Sequence, residues 1–184
     1  MNQGVQALRA ENLLVVSAIG ANRNGLVDAL TKAIKEAGCN IVDSRMAVMG
    51  GEFATLMLLS GTWDTVAKIE NVFPRLEHKL DLIIVSKRTA GRNTEDWIMP
   101  YAVEVVSVDK PGIVHELAHF FSSREIGIED MYSSNYSAQR TSTPMFSLHM
   151  TIGVPANSSI AALRSEFMDF CDQLNLDAVM EPVK

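Results

Sequence analysis

Apolar positions along this chain recur at strand spacing, then at helix spacing, then at strand spacing again, and the whole succession occurs twice. The first pass predicts a strand over 13–20, opened by Leu13-Leu14-Val15-Val16. A helix follows over 26–37, where Leu26, Val27, Leu30 and Ile34 share a stripe and Gly38 supplies the stop. Strands over 40–49 and 53–60 flank the turn signal Gly50-Gly51. A second helix over 63–79 carries Val66, Ile69, Phe73 and Leu76 at helical spacing behind Thr62, a suitable N-cap. Pro74 is expected to kink or shorten its last turns, because proline lacks the N–H that the helix needs. A short strand over 81–88, centred on Leu82-Ile83-Ile84-Val85, closes the pass in the order βαββαβ.

The second pass predicts a strand over 101–108, a helix over 113–124, strands over 128–136 and 145–152, a helix over 159–174 and a strand over 176–181. Ile160, Leu163, Phe167, Phe170, Cys171 and Leu174 form a stripe wide enough to cover a sheet. Its hairpin is longer than the first, running from Ser137 to Pro144, and its Ser/Thr-rich composition predicts a mobile surface loop. Gly25 and Gly112, Ile41 and Ile128, and Asp43 and Asp130 each stand 87 residues apart, and a constant offset over three landmarks argues for duplication. The expected organisation is a tail over 1–12, a first domain over 13–89, a linker over 90–99 and a second domain over 100–184. The basic stretch Lys87-Arg88-Thr89-Ala90-Gly91-Arg92-Asn93 reads as a solvated tether or as a contact for an acidic partner.

Each pass implies an α+β, ferredoxin-like unit, with an antiparallel four-stranded sheet carrying both helices on one face. The bare face and the small core of such a unit call for pairing between the two copies or between two chains, and a homodimer is expected. At 184 residues and 47% hydrophobic, with both charge signs mixed, the chain is globular in composition. Its net charge of −6 opposes direct nucleic-acid binding, which rests on a concentrated Lys/Arg footprint. Cys39 and Cys171 fit neither a disulfide framework nor a metal quartet and read as small core residues of a reducing compartment. The run over 13–21 resembles a signal-peptide core, but Glu11 stands where positive charge is wanted and the second pass uses a similar run internally. Nothing approaches the ~18 apolar residues of a membrane span, and a cytoplasmic protein is expected.

His115-Glu116-Leu117-Ala118-His119 matches the H-E-x-x-H pattern of zinc proteases, which makes a metal-dependent hydrolase the alternative reading. At 100° per residue, however, Ile113, Val114, Leu117, Phe120 and Phe121 define the buried stripe and turn His115, Glu116 and His119 outward. No catalytic residue, metal ligand or cofactor is therefore expected. His78 and His149 read as isolated. The strand Phe53-Ala54-Thr55-Leu56-Met57-Leu58-Leu59 lacks the aromatic, basic pattern of RNA-recognition sheets, and neither first turn has the Cys-x-x-Cys of a metallochaperone.

Both passes place a glycine turn directly before a helix, and the free N–H groups there suit a carboxylate. In the first, Asn22, Arg23, Asn24, Gly25 and Leu26 form the turn, and Asn40-Ile41 opens the next strand, so amides are expected to converge on a small polar ligand. Asp109 and Gly112 hold the matching places in the second. A plain tight turn is the other reading of the same residues.

Both passes resemble ACT domains, βαββαβ modules that bind amino acids and regulate other proteins. Their hallmark D/N-R/K-P-G turn is met by Asp109-Lys110-Pro111-Gly112 and, with Asn for Pro, by Asn22-Arg23-Asn24-Gly25. Asn22 with Asn40-Ile41 resembles the serine site of ACT-regulated biosynthetic dehydrogenases, whereas the second pass has Asp109 and Gly127 at those positions. The tandem arrangement, Gly38-Cys39-Asn40-Ile41-Val42-Asp43-Ser44-Arg45 and Leu58-Leu59-Ser60-Gly61-Thr62-Trp63 are together similar to the glycine cleavage system transcriptional repressor family. That resemblance implies a non-enzymatic regulator that senses glycine and restrains a transcriptional activator through protein contact. A module whose ACT units only mediate oligomerisation is the further alternative.

Overall fold

The computed structural model describes residues 12–91, 98–138 and 142–183. The chain divides into two compact units, residues 1–92 and 93–184. The first contains β1 (Asn12–Ala21), α1 (Leu26–Ala37), β2 (Asn40–Met49), β3 (Glu52–Gly61), α2 (Trp63–Leu80) and β4 (Ile83–Thr89). The second contains β5 (Ile98–Val108), α3 (Ile113–Ser122), β6 (Gly127–Ser137), β7 (Pro144–Pro155), α4 (Ile160–Gln173) and β8 (Asp177–Pro182). Their sheets run β2-β3-β1-β4 and β6-β7-β5-β8, all antiparallel. Each unit is thus a ferredoxin-like βαββαβ fold, as the two periodicities predict. The expected tail over 1–12 lies outside the described residues apart from Asn12, which begins β1, and 92–97 of the expected linker lie outside them too.

The constant offset has a structural counterpart. The register of β2 on β3 slips between Ile41 and Asp43, and that of β6 on β7 slips between Ile128 and Asp130. Both units therefore carry a β-bulge at the same place, and the Ile-x-Asp landmarks flank it, since a bulge inserts one unpaired residue and re-aims its neighbours. Local stop signals also act as expected. Gly38, at φ 88°, ends α1 as its N–H bonds Lys35 O and the Cys39 N–H bonds Ile34 O, a Schellman-type cap. Glu125, 87 residues later, takes the same left-handed region at φ 58° without glycine's freedom. The Thr62 side chain accepts from Thr65 N at 3.3 Å to open α2.

The helices cover one face of each sheet. Leu14, Val16, Ala18, Leu26, Leu30, Ile34, Val66, Ile69 and Phe73 belong to the first core, while Val103, Val105, Leu117, Phe121, Leu148 and Phe167 belong to the second. Both cysteines are buried with free thiols. Burial, aided by the neighbouring Asp172 charge, pushes the Cys171 thiol up to about 12, which keeps it protonated and unreactive. Among the described residues no helix is long and apolar enough to cross a membrane.

Several local expectations differ from the structure. Val27 is 46% exposed and leaves the α1 stripe to Leu26, Leu30 and Ile34. Helix α2 runs past Pro74 to Leu80, so the proline does not shorten it. The basic stretch is no tether at its start, because β4 runs to Thr89 and Arg88 pairs with Glu70 at 2.6 Å. That contact holds the Glu70 carboxyl below the usual range. Strand β5 begins at Ile98, inside the expected linker, because Ile98, Met99 and Pro100 pair with the end of β7.

Candidate functional site

The two turns before α1 and α3 share one construction. The Asn22 N–H donates to Gly51 O at 2.9 Å, and the Asp109 N–H donates to Pro144 O at 2.9 Å, which pins each turn against its unit's β-hairpin. Gly25, at φ 89°, and Gly112, at φ 98°, occupy the N-cap in the left-handed region, and neither helix has a side-chain cap. A side chain at either glycine would meet nothing within 4 Å, so backbone conformation and not space demands glycine. The first N–H groups of both helices thus face outward with the positive end of the helix dipole behind them, an arrangement suited to a small anion.

Two cations of the turn are already committed. Arg23 donates through Nη2 to Leu80 O at the end of α2, and Lys110 Nζ donates to Leu174 O at 2.9 Å, just beyond α4. These equivalent residues staple each turn to the C-terminal end of the second helix, where cations are favoured. The sequence does not disclose this role, since the partners are 57 and 64 residues away. Asn24 lies exposed in its turn, and Leu26 is buried beneath it.

Asn40 and Ile41 are not brought to the turn of their own unit. Asn40 lies level with Ser60, Ser60 lies level with Leu13, and Asn22 is nine residues further along the chain from Leu13. At ~3.4 Å per residue the two amides sit about 30 Å apart, at opposite ends of the sheet. The expected convergence within one unit is therefore corrected. Strand β2 begins where β1 begins, because α1 carries the chain back along the sheet before β2 starts.

The second turn differs in its charges. The Asn135 side chain donates to Asp109 Oδ2 at 2.8 Å, which draws that carboxylate toward β6. A cavity of about 230 Å³ opens beside the turn, lined by Lys110, Gly112, Ile113, Glu116 and Leu176. Glu116, whose counterpart 87 residues earlier is Ala29, is thus the acid that borders this cavity and opposes a carboxylate there.

His115, Glu116 and His119 are exposed on α3, with the two imidazoles stacked at 6.1 Å. Among the described residues no group of three or more His, Cys, Asp or Glu side chains is placed to hold a metal ion. Replacing both histidines by alanine should change unfolding free energy by less than about 0.5 kcal/mol per site, as exposed substitutions usually do. Stoichiometric zinc in the purified protein that disappears in this double variant would overturn the reading.

His149 is not isolated. It lies between Glu104, with Nδ1 3.5 Å from Oε1, and Ser147, with Nε2 3.5 Å from Oγ, and stacks on Tyr132 at 4.7 Å. The order Ser-His-Glu imitates a nucleophilic relay, but it stands in mid-strand. The surrounding backbone N–H groups belong to the ladders of a paired sheet, so none is turned toward an oxyanion on that face.

Comparison with known proteins places this geometry. Residues 12–87 match the family model of the ACT domain. The chain is 33% identical over 168 residues to the glycine cleavage system transcriptional repressor of Escherichia coli (strain K12), covering 91% of this chain and 88% of that protein. The same values hold for the repressor of that name from Shigella flexneri. A crystal structure named for a glycine cleavage system transcriptional repressor superposes with a TM-score of 0.71 at 30% identity, over 96% of this chain and 99% of the other. A protein of unknown function from Galdieria sulphuraria shares the fold, with a TM-score of 0.79 at 22% identity over 95% and 99% of the two chains.

Proposed function

This chain belongs to the glycine cleavage system transcriptional repressor family, and from that membership we propose that it is a non-enzymatic regulator that senses a free amino acid, glycine foremost. The observation that carries the proposal is the uncapped helix N-terminus behind a left-handed glycine at Gly25. The ligand carboxylate takes the N–H groups around Gly25 and Leu26, and amide oxygens of Asn22 and Asn40 take its ammonium. The first unit is the sensing one, since it alone carries Asn22 and Asn40, where the second has Asp109 and Gly127.

Asn40 reaches the turn from a second chain. Strand β2 is an edge strand with exposed Val42, Met46, Val48 and Met49. Antiparallel pairing of two β2 strands about Ser44 and Arg45 sets Asn40 of one chain opposite Met49 of the other. That is the end of the sheet where Gly51 O receives the Asn22 N–H. The arrangement covers an exposed edge and makes the protein a homodimer in the ligand-bound form. The signal passes to a transcriptional activator by protein contact and not by DNA binding, in keeping with the net charge of −6.

Glycine offers few atoms. At a ceiling of ~1.5 kcal/mol per heavy atom its binding reaches about −7.5 kcal/mol, a Kd no tighter than a few micromolar. Calorimetry against the free amino acids tests the reading. Saturable glycine binding, one ligand per chain in that range or weaker, is expected, and absence of heat and of any thermal shift with every amino acid would sink it.

A further inference from the structure

We propose that the open sheet face of the second unit is the docking surface for a basic protein partner, one presenting clustered lysines and arginines. The proposal rests on the reading that this protein acts through protein contact, and it names the surface that makes that contact. Cross-strand pairing puts Glu104, Asp177 and Glu181 on the face that the helices leave bare. No lysine or arginine stands among the described residues of that face. The same face carries two large aromatic side chains, Tyr132 at 62% and Tyr136 at 47% exposure.

Charge selects the occupant. A second copy of this face would oppose carboxylate to carboxylate, which is destabilising across a sheet surface, and nucleic acid or an anionic membrane would be repelled outright. A basic protein surface is steered in and held in register by the same field. Exposed tyrosines supply the apolar anchors on which such contacts rely. Tyr132 is already fixed by its 14° stack on His149, which in turn meets Glu104, so little side-chain freedom is lost on docking. The face is not a general property of the fold. The residue 87 positions before Tyr132 is Arg45, and the bare face around it carries Leu56, Ile83 and Val85.

The test titrates full-length protein with a fluorescein-labelled oligolysine peptide, with oligoglutamate as control, and follows anisotropy and the aromatic NMR signals. Glu104→Lys with Glu181→Lys should weaken oligolysine binding by at least ~10-fold. Asp169→Lys with Asp172→Lys, the same charge change on exposed positions of α4, should weaken it by less than ~3-fold. If the lysine pair on the face fails to fold, Glu104→Gln with Glu181→Gln makes the same comparison. The Tyr132 and His149 ring signals should shift on titration of the wild type. Equal weakening in both charge-reversed proteins, unmoved ring signals at saturation, or self-association through this face without peptide would each overturn the proposal. None of these readouts involves glycine, so the amino-acid reading stands or falls separately on calorimetry.

Discussion

Replacing Phe167 by alanine should severely destabilise the second unit while leaving the first unaffected. Phe167 is fully buried, and its ring centroid lies 5.2 Å from that of Phe121 and 5.4 Å from that of Phe120. Phe170 extends the cluster at 4.8 Å from Phe120. Removing the Phe167 ring deletes its transfer free energy and leaves a cavity that the rigid rings of Phe120 and Phe121 cannot fill. The expected cost is about 3–5 kcal/mol. Domains of this size are stable by roughly 5–15 kcal/mol, and each kcal/mol lowers Tm by about 4–8 °C, so a large share of the second unit's stability disappears. The two cores share no residue, which confines the damage. Hydrogen exchange checks this directly: amides of β5, β7 and α4 should lose protection while those of β1, β3 and α2 keep it. Loss of protection in both units to the same extent, or a cost under ~1 kcal/mol, would refute the expectation.

Asn22→Ala and Asn40→Ala should each cost on the order of 1–3 kcal/mol in glycine affinity, the price of removing one partner of an ammonium. That corresponds to roughly 5- to 150-fold in Kd. Neither change should affect folding, since both residues are exposed. The opposite-end placement of the two amides adds a sharper expectation. In a mixture of the two variant proteins, the mixed dimer combines the intact Asn22 of one chain with the intact Asn40 of the other, so one site per dimer regains wild-type affinity. A site built within one chain could not be rescued by mixing. Asp109→Ala should matter less than either. Glycine binding that survives both asparagine changes but vanishes on altering Asp109 or Gly112 would move the site to the second unit.

What the sequence determined by itself is the local and repetitive part of this protein. Element order, the period of each buried stripe, the stop at Gly38, the cap at Thr62 and the outward aim of His115 and His119 follow from chemistry within a few residues, where spacing alone dictates which side chains share a face. The duplication was legible for the same reason, because Gly25/Gly112 and the Ile-x-Asp pairs mark backbone irregularities, a left-handed cap and a bulge, that the fold requires at fixed places. Tertiary structure alone decided which distant groups meet. Arg23, read as a ligand-turn residue, and its equivalent Lys110 close onto carbonyls at the far ends of α2 and α4. Asn40, near Asn22 in sequence and in expectation, lies across the sheet from it, and His149 gains Glu104, Ser147 and Tyr132. Strand order and register set these distances, and both are consequences of packing a whole sheet against its helices, which no window of neighbouring residues contains.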